Sequence, residues 1–234
     1  MNKGVNVLQH IQAIRISLEL GLNVEGDFIL FFPYDTSKAI YQTINLVKQY
    51  EHLFQKISLS YSRFVPCLNS NVGNDPERFN IELLPFSLRL ARHLPYHLSK
   101  AFIPWDPHWK YINGKNSQVK ELAKAYIELK NVLDELSRKN SVQKNWYELG
   151  NTVVLESTGY QDQVLDRIFL EGKQRDIWIR CDKKISTDKL ATLTNVSVEA
   201  INNFLNDLAK NGFVFNESNS WVHTALNQSY GAFF

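Results

Sequence analysis

Cysteine is nearly absent from this 234-residue chain, where Cys67 and Cys181 stand 114 positions apart with no neighbouring Cys. That excludes a disulfide framework and makes a reducing, cytoplasmic compartment the expectation. Long apolar runs are missing too, so neither a membrane span nor the unbroken core of a signal peptide is expected. Charge of one sign is also lacking, with 26 Lys and Arg against 24 Asp and Glu, a net +2, and no block of like charge. A chain so balanced offers no electrostatic footprint for nucleic acid or anionic membrane, and neither is expected as a partner. The length suffices for one large domain or two small ones with a substantial core.

What is present is organised around Gly21 to Pro33. Phe28 to Phe32 are five apolar residues in a row, too few for a normal helix, and they predict a strand buried on both faces. Val7, Leu8, Ile11, Ile14 and Leu18 share one helical face before it, with Gly21 placed as a C-terminal cap. Asp35, Thr36 and Ser37 offer N-cap oxygens after it, ahead of an Ile40, Ile44, Val47 stripe. Ile57 to Phe64 is a second strand candidate. This alternation predicts an α/β layer of the βαβ kind.

Residues 65–114 hold six of the seven prolines and read as a long irregular segment, with one short helix expected near Phe86–His93. The clearest helix spans 116–139, where Val119, Leu122, Tyr126, Leu129, Leu133 and Leu136 recur at three- and four-residue steps. Leu149 to Thr158 alternates towards strand, bounded by Gly150 and Gly159. Beyond Glu171, three helices are expected over 172–181, around Leu190 to Leu193, and over 198–211. A hairpin then turns at 216–219, and the whole reads as a winged-helix-like α+β domain. The organisation expected is 1–114, 115–170 and 171–234. The last segment carries about enough apolar residues to fold marginally alone.

Met1-Asn-Lys-Gly, Leu8-Gln-His-Ile-Gln-Ala-Ile14, the strand ending Phe32-Pro33, and Ser62-Arg-Phe-Val-Pro66 together resemble a known pattern. They look like the later part of the cobalamin-dependent radical SAM enzymes that mature ribosomal peptides, the RiPP maturation C-methyltransferases. That family carries Gly-Phe-Pro-Gly-Glu at the strand end and Arg-Phe-Ser-Pro at the next. Here Phe31 stands at the first Gly, Tyr34-Asp35 at Gly-Glu, and Val65 at the Ser. The resemblance implies the C-terminal part of a radical SAM (β/α) partial barrel, then a connector helix and the winged-helix-like domain. It also implies S-adenosylmethionine, a four-iron four-sulfur cluster and cobalamin as the family's cofactors, and a precursor peptide as partner.

The chain has no C-x-x-x-C-x-x-C, and two cysteines cannot hold a four-iron cluster. The expectation is therefore a C-terminal portion of a peptide-methylating enzyme, inactive alone or completed by a separate chain carrying the missing half. The resemblance implies Asp27, Asp35 and Arg63 as cofactor-binding residues, with Arg63 holding a carboxylate and an Asp holding ribose or ammonium. The same side chains also read as a helix cap at Asp35 and a surface ion pair at Arg63.

His93 and His97 have helical metal-ligand spacing, but Pro95 interrupts their face. Phe102, Trp105, Trp109 and Tyr111, around His108, read either as packing or as the floor of a peptide groove. Cys67 reads as structural. In the C-terminal segment seven basic residues balance seven acidic ones, and the third helix offers Glu199, Asn202, Asn203, Asp207 and Lys210 without an Arg. Phosphate and base recognition lean on basic residues, so peptide or interdomain binding is the better use of this module. The expected place is a hairpin edge near Ser220–Thr224. A non-catalytic binding protein docking a peptide or protein is the alternative to the enzyme portion.

Overall fold

Asn6 opens the first helix, α1 (Val7–Glu19), with a capping box: its side chain accepts from Gln9 N, and the Gln9 side chain accepts from Asn6 N. Gly21, at φ 69°, closes it. Gly21 N donates to Leu18 O and Leu22 N to Ser17 O, the bond pair that a left-handed residue after a helix permits. The computed structural model describes residues 5–67, 70–83, 109–112, 116–138 and 142–228, with backbone only at 109, 111 and 116–118. The expected helix at 86–93, the His93 and His97 pair, Phe102, Trp105 and His108 lie outside the described residues, as do the side chains of Trp109 and Tyr111.

The order continues with β1 (Glu25–Leu30), α2 (Ser37–Gln49), α3 (Glu51–Phe54), β2 (Ser58–Arg63), α4 (Asn71–Asn74), β3 (Ile81–Leu83) and β4 (Trp109–Tyr111). After α5 (Asn116–Leu136) come β5 (Gln143–Leu149), β6 (Thr152–Thr158) and β7 (Val164–Leu170). Then follow α6 (Gly172–Arg180), β8 (Ile185–Ser186), α7 (Thr187–Thr194), α8 (Val198–Lys210), β9 (Val214–Glu217), β10 (Ser220–His223) and β11 (Leu226–Asn227). The fold is mixed α/β. Among the described residues no helix is long and apolar enough to cross a membrane.

β1 and β2 pair, and Ser58 N donates to Val24 O while Phe64 N donates to Leu30 O. Both partners advance together along the chain, which is the register of a parallel pair joined by a helical crossover. The burial of β1 corrects the sequence expectation. Glu25, Asp27 and Ile29 are exposed, Gly26 and Phe28 half-buried, and Leu30 buried, so the strand alternates and is not buried on both faces. Phe31 and Phe32 leave the strand, because Phe31 takes φ 64° and Phe32 enters a turn closed by Asp35 N.

The chain packs as two units, Met1–Gly26 with Leu46–Leu59 and Leu133–Phe234, and Asp27–Asn45 with Ser60–Val132. In the second, Val72 and Ile81 gather Phe31, Phe64, Phe79 and Leu83 around them. Leu122, Tyr126 and Leu129 of α5 are buried as its periodicity requires.

The first unit holds a four-stranded sheet in the order β11-β5-β6-β7 and a three-stranded one in the order β8-β10-β9. β5 and β6 form a hairpin across Gly150-Asn151, with Leu149 opposite Thr152. The strand read between the two glycines is thus the second arm of a hairpin. In α6 to β10 the helices fall where the sequence placed them. Ser197 caps α8 through Ala200 N, Asn195 takes φ 53°, and Ser218-Asn219 turn the second hairpin with positive φ at both positions. One apolar cluster runs through Val153, Leu155 and Leu170 of the first sheet and Trp178, Leu190, Ile201, Leu205, Phe213 and Trp221 beyond them. The core of the C-terminal helices is therefore shared with β6 and β7, which revises the expectation that residues 171–234 fold alone.

Candidate functional site

The three residues implied by the resemblance occupy the second unit. Asp27, on β1, accepts from Ser60 Oγ at 2.9 Å and Ser62 Oγ at 2.5 Å on β2. Those serines lie one strand over and two residues apart, which places both hydroxyls beside one carboxylate. Asp35 accepts from Phe32 N at 2.8 Å and from the Tyr126 hydroxyl of α5. It does not cap α2, because Thr36 Oγ1 takes Ala39 N in that role at 3.2 Å. The Arg63 guanidinium lies 5.9 Å from the Phe31 ring centroid. Phe31 in turn packs against Tyr126, the rings tilted by 37° with centroids 4.3 Å apart. Arg63 and Asp35 are thus linked through two aromatic rings, while Asp27 has its own serine partners.

Phe31 itself is strained. A bulky residue at φ 64° is a genuine outlier, costing about 1–2 kcal/mol relative to a right-handed conformation. Its ring contacts hold it there. The cysteines do not fit a four-iron cluster. Cys67 is exposed, while Cys181 is buried with its thiol pushed up to about 12, and three thiolates are needed. Among the described residues no group of three or more His, Cys, Asp or Glu side chains is placed to hold a metal.

Sequence reasoning missed a buried charge network in the first unit. Arg15 is only 1% exposed. Its Nη1 donates to Glu19 Oε2 at 2.9 Å, and its Nη2 donates to both the carbonyl, at 2.6 Å, and Oδ1, at 2.9 Å, of Asp182. His223 Nε2 lies 3.4 Å from the same Asp182 Oδ1 and 3.5 Å from Arg15 Nη1. A neutral ring serves one of the two, donating to Asp182 or accepting from Arg15. The ring stacks on Trp178 at 4.8 Å and meets Trp146 edge-on at 5.6 Å. Burial pushes His223 down to about 4, with Arg15 adding to the shift against the pull of Asp182. The His223 hydrogen bond, then Arg15, holds Asp182 well below the usual carboxylate range. Burial raises Glu19 despite Arg15.

The network ties α1 to the loop after α6 and to β10. The signal that would have found it is Arg15 itself: with Leu8 and Ile11 it completes the apolar face at i, i+3, i+7, and Glu19 follows at i+4. A charge on a buried stripe needs a partner.

The outer face of α8 offers a different environment. A hollow of about 480 Å³ is lined by Gln49, Asn203, Asn206, Asp207, Ala209 and Lys210. Lys210 pairs with Asp207 at 2.9 Å, so the charges cancel, and the remaining polar groups are amides. Gln49 Nε2 donates to Ala209 O at 2.9 Å and fastens the C-terminal turn of α8. Gly212 closes that helix at φ 73°, with Gln49 O 3.0 Å from where a Cβ would stand. The hairpin is engaged as well. Leu8 N donates to Glu217 Oε2 at 2.9 Å, and the Tyr50 hydroxyl donates to Val214 O at 2.9 Å. The strand near Ser220–Thr224 is the central one of its sheet, paired on both sides by β8 and β9. It is not an edge, and the expected place for an added peptide strand is corrected accordingly.

No protein-family model matches the chain, and no curated protein or solved structure is significantly similar to it.

Proposed function

We propose that the chain is a cytoplasmic, non-catalytic binding protein whose α6–β10 segment is a winged-helix-like module docking a peptide or protein partner. The observation that carries this reading is the neutral, amide-lined hollow on α8. Amide side chains match the donors and acceptors of a peptide backbone, whereas a polyphosphate surface calls for Lys and Arg. Intramolecular engagement of the hairpin by Leu8 and Tyr50, and of the α8 C-terminus by Gln49, further supports a role away from a nucleic-acid groove. The test is selection of a displayed random-peptide library and, in parallel, a random duplex DNA pool on the immobilised chain. Peptides should enrich on the wild type and be lost on Asn203→Arg. Enrichment of DNA, or peptides indifferent to that substitution, would overturn the reading.

A second reading is favoured by one observation. Phe31 has the positive φ that glycine adopts freely, at the position where the radical SAM peptide-maturation family carries Gly. On this reading the chain is the C-terminal portion of an enzyme that methylates a precursor peptide. Residues other than these hold the cluster and cobalamin, and Arg63, Asp35 and Asp27 contact S-adenosylmethionine. Calorimetric titration with S-adenosylmethionine decides it: saturable binding weakened about tenfold by Arg63→Met supports it, and no binding removes it.

A further inference from the structure

A second hollow, of about 460 Å³, opens in the first unit where the end of α1 meets β11, Asn145 of β5 and Lys56 in the turn after α3. Its volume falls within the range of small-molecule sites. Its walls include Leu18 and Leu226, the charged pair Glu19 and Lys56, and Asn227 and Gln228. No ion pair joins Glu19 to Lys56, and Lys56, whose backbone N–H donates to Leu53 O, has no partner for its ammonium among the described residues. Each Glu19 oxygen already accepts one bond, from Arg15 Nη1 at 2.9 Å and from Asn227 N at 2.9 Å. An ionised carboxylate has about four acceptor sites, so Glu19, which lines the hollow, keeps acceptor capacity. Arg15 is shared between Glu19 and Asp182, so the three side chains together carry one net negative charge, and the Lys56 ammonium has no ionic partner among the described residues.

We propose that this hollow binds a small zwitterion, a free α-amino acid with an apolar side chain. Its ammonium meets Glu19, its carboxylate meets Lys56 and the amide of Gln228, and its side chain lies on Leu18 and Leu226. A ligand carrying only a carboxylate leaves the net negative charge of the Arg15, Glu19 and Asp182 trio unbalanced, and one carrying only an ammonium leaves Lys56 without a partner. This site is independent of the α8 face, and the two stand or fall separately.

The experiment titrates the full chain with L-leucine, with 4-methylpentanoate, which lacks the ammonium, and with 3-methylbutylamine, which lacks the carboxylate. The readout is the backbone amide resonances of Asn227 and Gln228. L-Leucine should produce saturable shifts, each single-charge analogue should bind about tenfold more weakly, and Lys56→Met should weaken L-leucine by a similar factor. Lys56 is exposed and unpaired, so that variant keeps the fold. Absence of saturable shifts with all three probes would overturn the proposal. So would equal binding of the three, which marks an apolar surface only, or equal binding of L-leucine and 4-methylpentanoate, which marks an anion site.

Discussion

Arg15 and Asp182, 167 positions apart in sequence, are joined by two hydrogen bonds from a single guanidinium nitrogen, one to the backbone carbonyl and one to the carboxylate. A buried charge of this kind is costly to strand. Arg15→Ala leaves Glu19 and Asp182 facing each other across a cavity, and we expect a loss of about 3–5 kcal/mol. Urea unfolding checks it through the midpoint, and a change under about 1 kcal/mol would mean that the network is not holding α1.

Two buried histidines among the described residues set the acid limit. His223 is pushed to about 4 and His52, which bonds Thr224 O, to about 3, in both cases mainly by burial. Both lie below the unfolded value of 6.5, so the unfolded chain binds more protons as pH falls from about 6.5 towards 4. Stability should drop across that window by up to about 1.4 kcal/mol per pH unit for each histidine. The raised pKa of Glu19 opposes this in part, because its folded form takes up a proton more readily than the unfolded one. Asp182, with its lowered pKa, adds to the loss only below its unfolded value near 3.8. Thermal melts from pH 7 to 4 should show a falling transition, flattened in His52→Asn.

Phe31 allows strain and packing to be separated. Phe31→Ala loses the ring contacts with Tyr126 and Arg63 and keeps the left-handed backbone, whereas Phe31→Gly loses the same contacts and releases the strain. We expect both to be less stable than the wild type, with Gly above Ala by about 0.5–1 kcal/mol. The order Ala above Gly would show that φ at position 31 relaxes when the ring is gone.

Because Val153, Leu155 and Leu170 belong to the same apolar cluster as Trp178 and Leu205, cutting the chain at 171 opens that core. A fragment of 171–234 should show weak dispersion of its amide resonances. One starting at 142 should be better ordered, and the full chain best, since Arg15 is contributed by α1. A fully cooperative melt for 171–234 would contradict this.

Local signals made much of the fold legible. Gly21, Ser197 and Gly212 mark helix ends, the α5 stripe buries from Leu122 to Leu136 while Val119 stays exposed, and Ser218-Asn219 turn the last hairpin. What was not legible depends on long-range neighbours. Phe28 to Phe32 looked like one buried strand, but the exit of the chain at Phe31 is a backbone event that composition does not encode. β5 and β7 carry charges at Lys144, Glu148, Asp166 and Arg167 that mask their pairing with β6. At the site level, Asp27 and Asp35 were visible as polar residues flanking a strand. Arg15, Glu19, Asp182 and His223 were not, because three distant segments supply them.

The claim that α8 presents a neutral peptide-binding face is tested most directly by fluorescence anisotropy at low salt. The probes are a peptide enriched in the selection and a random-sequence duplex, each with the wild type and with Asn203→Arg. The account predicts saturable peptide binding that Asn203→Arg abolishes, little response to added salt, and no saturable duplex binding. Duplex binding that weakens steeply with salt and strengthens in Asn203→Arg would contradict it, since that is the signature of a phosphate-reading surface.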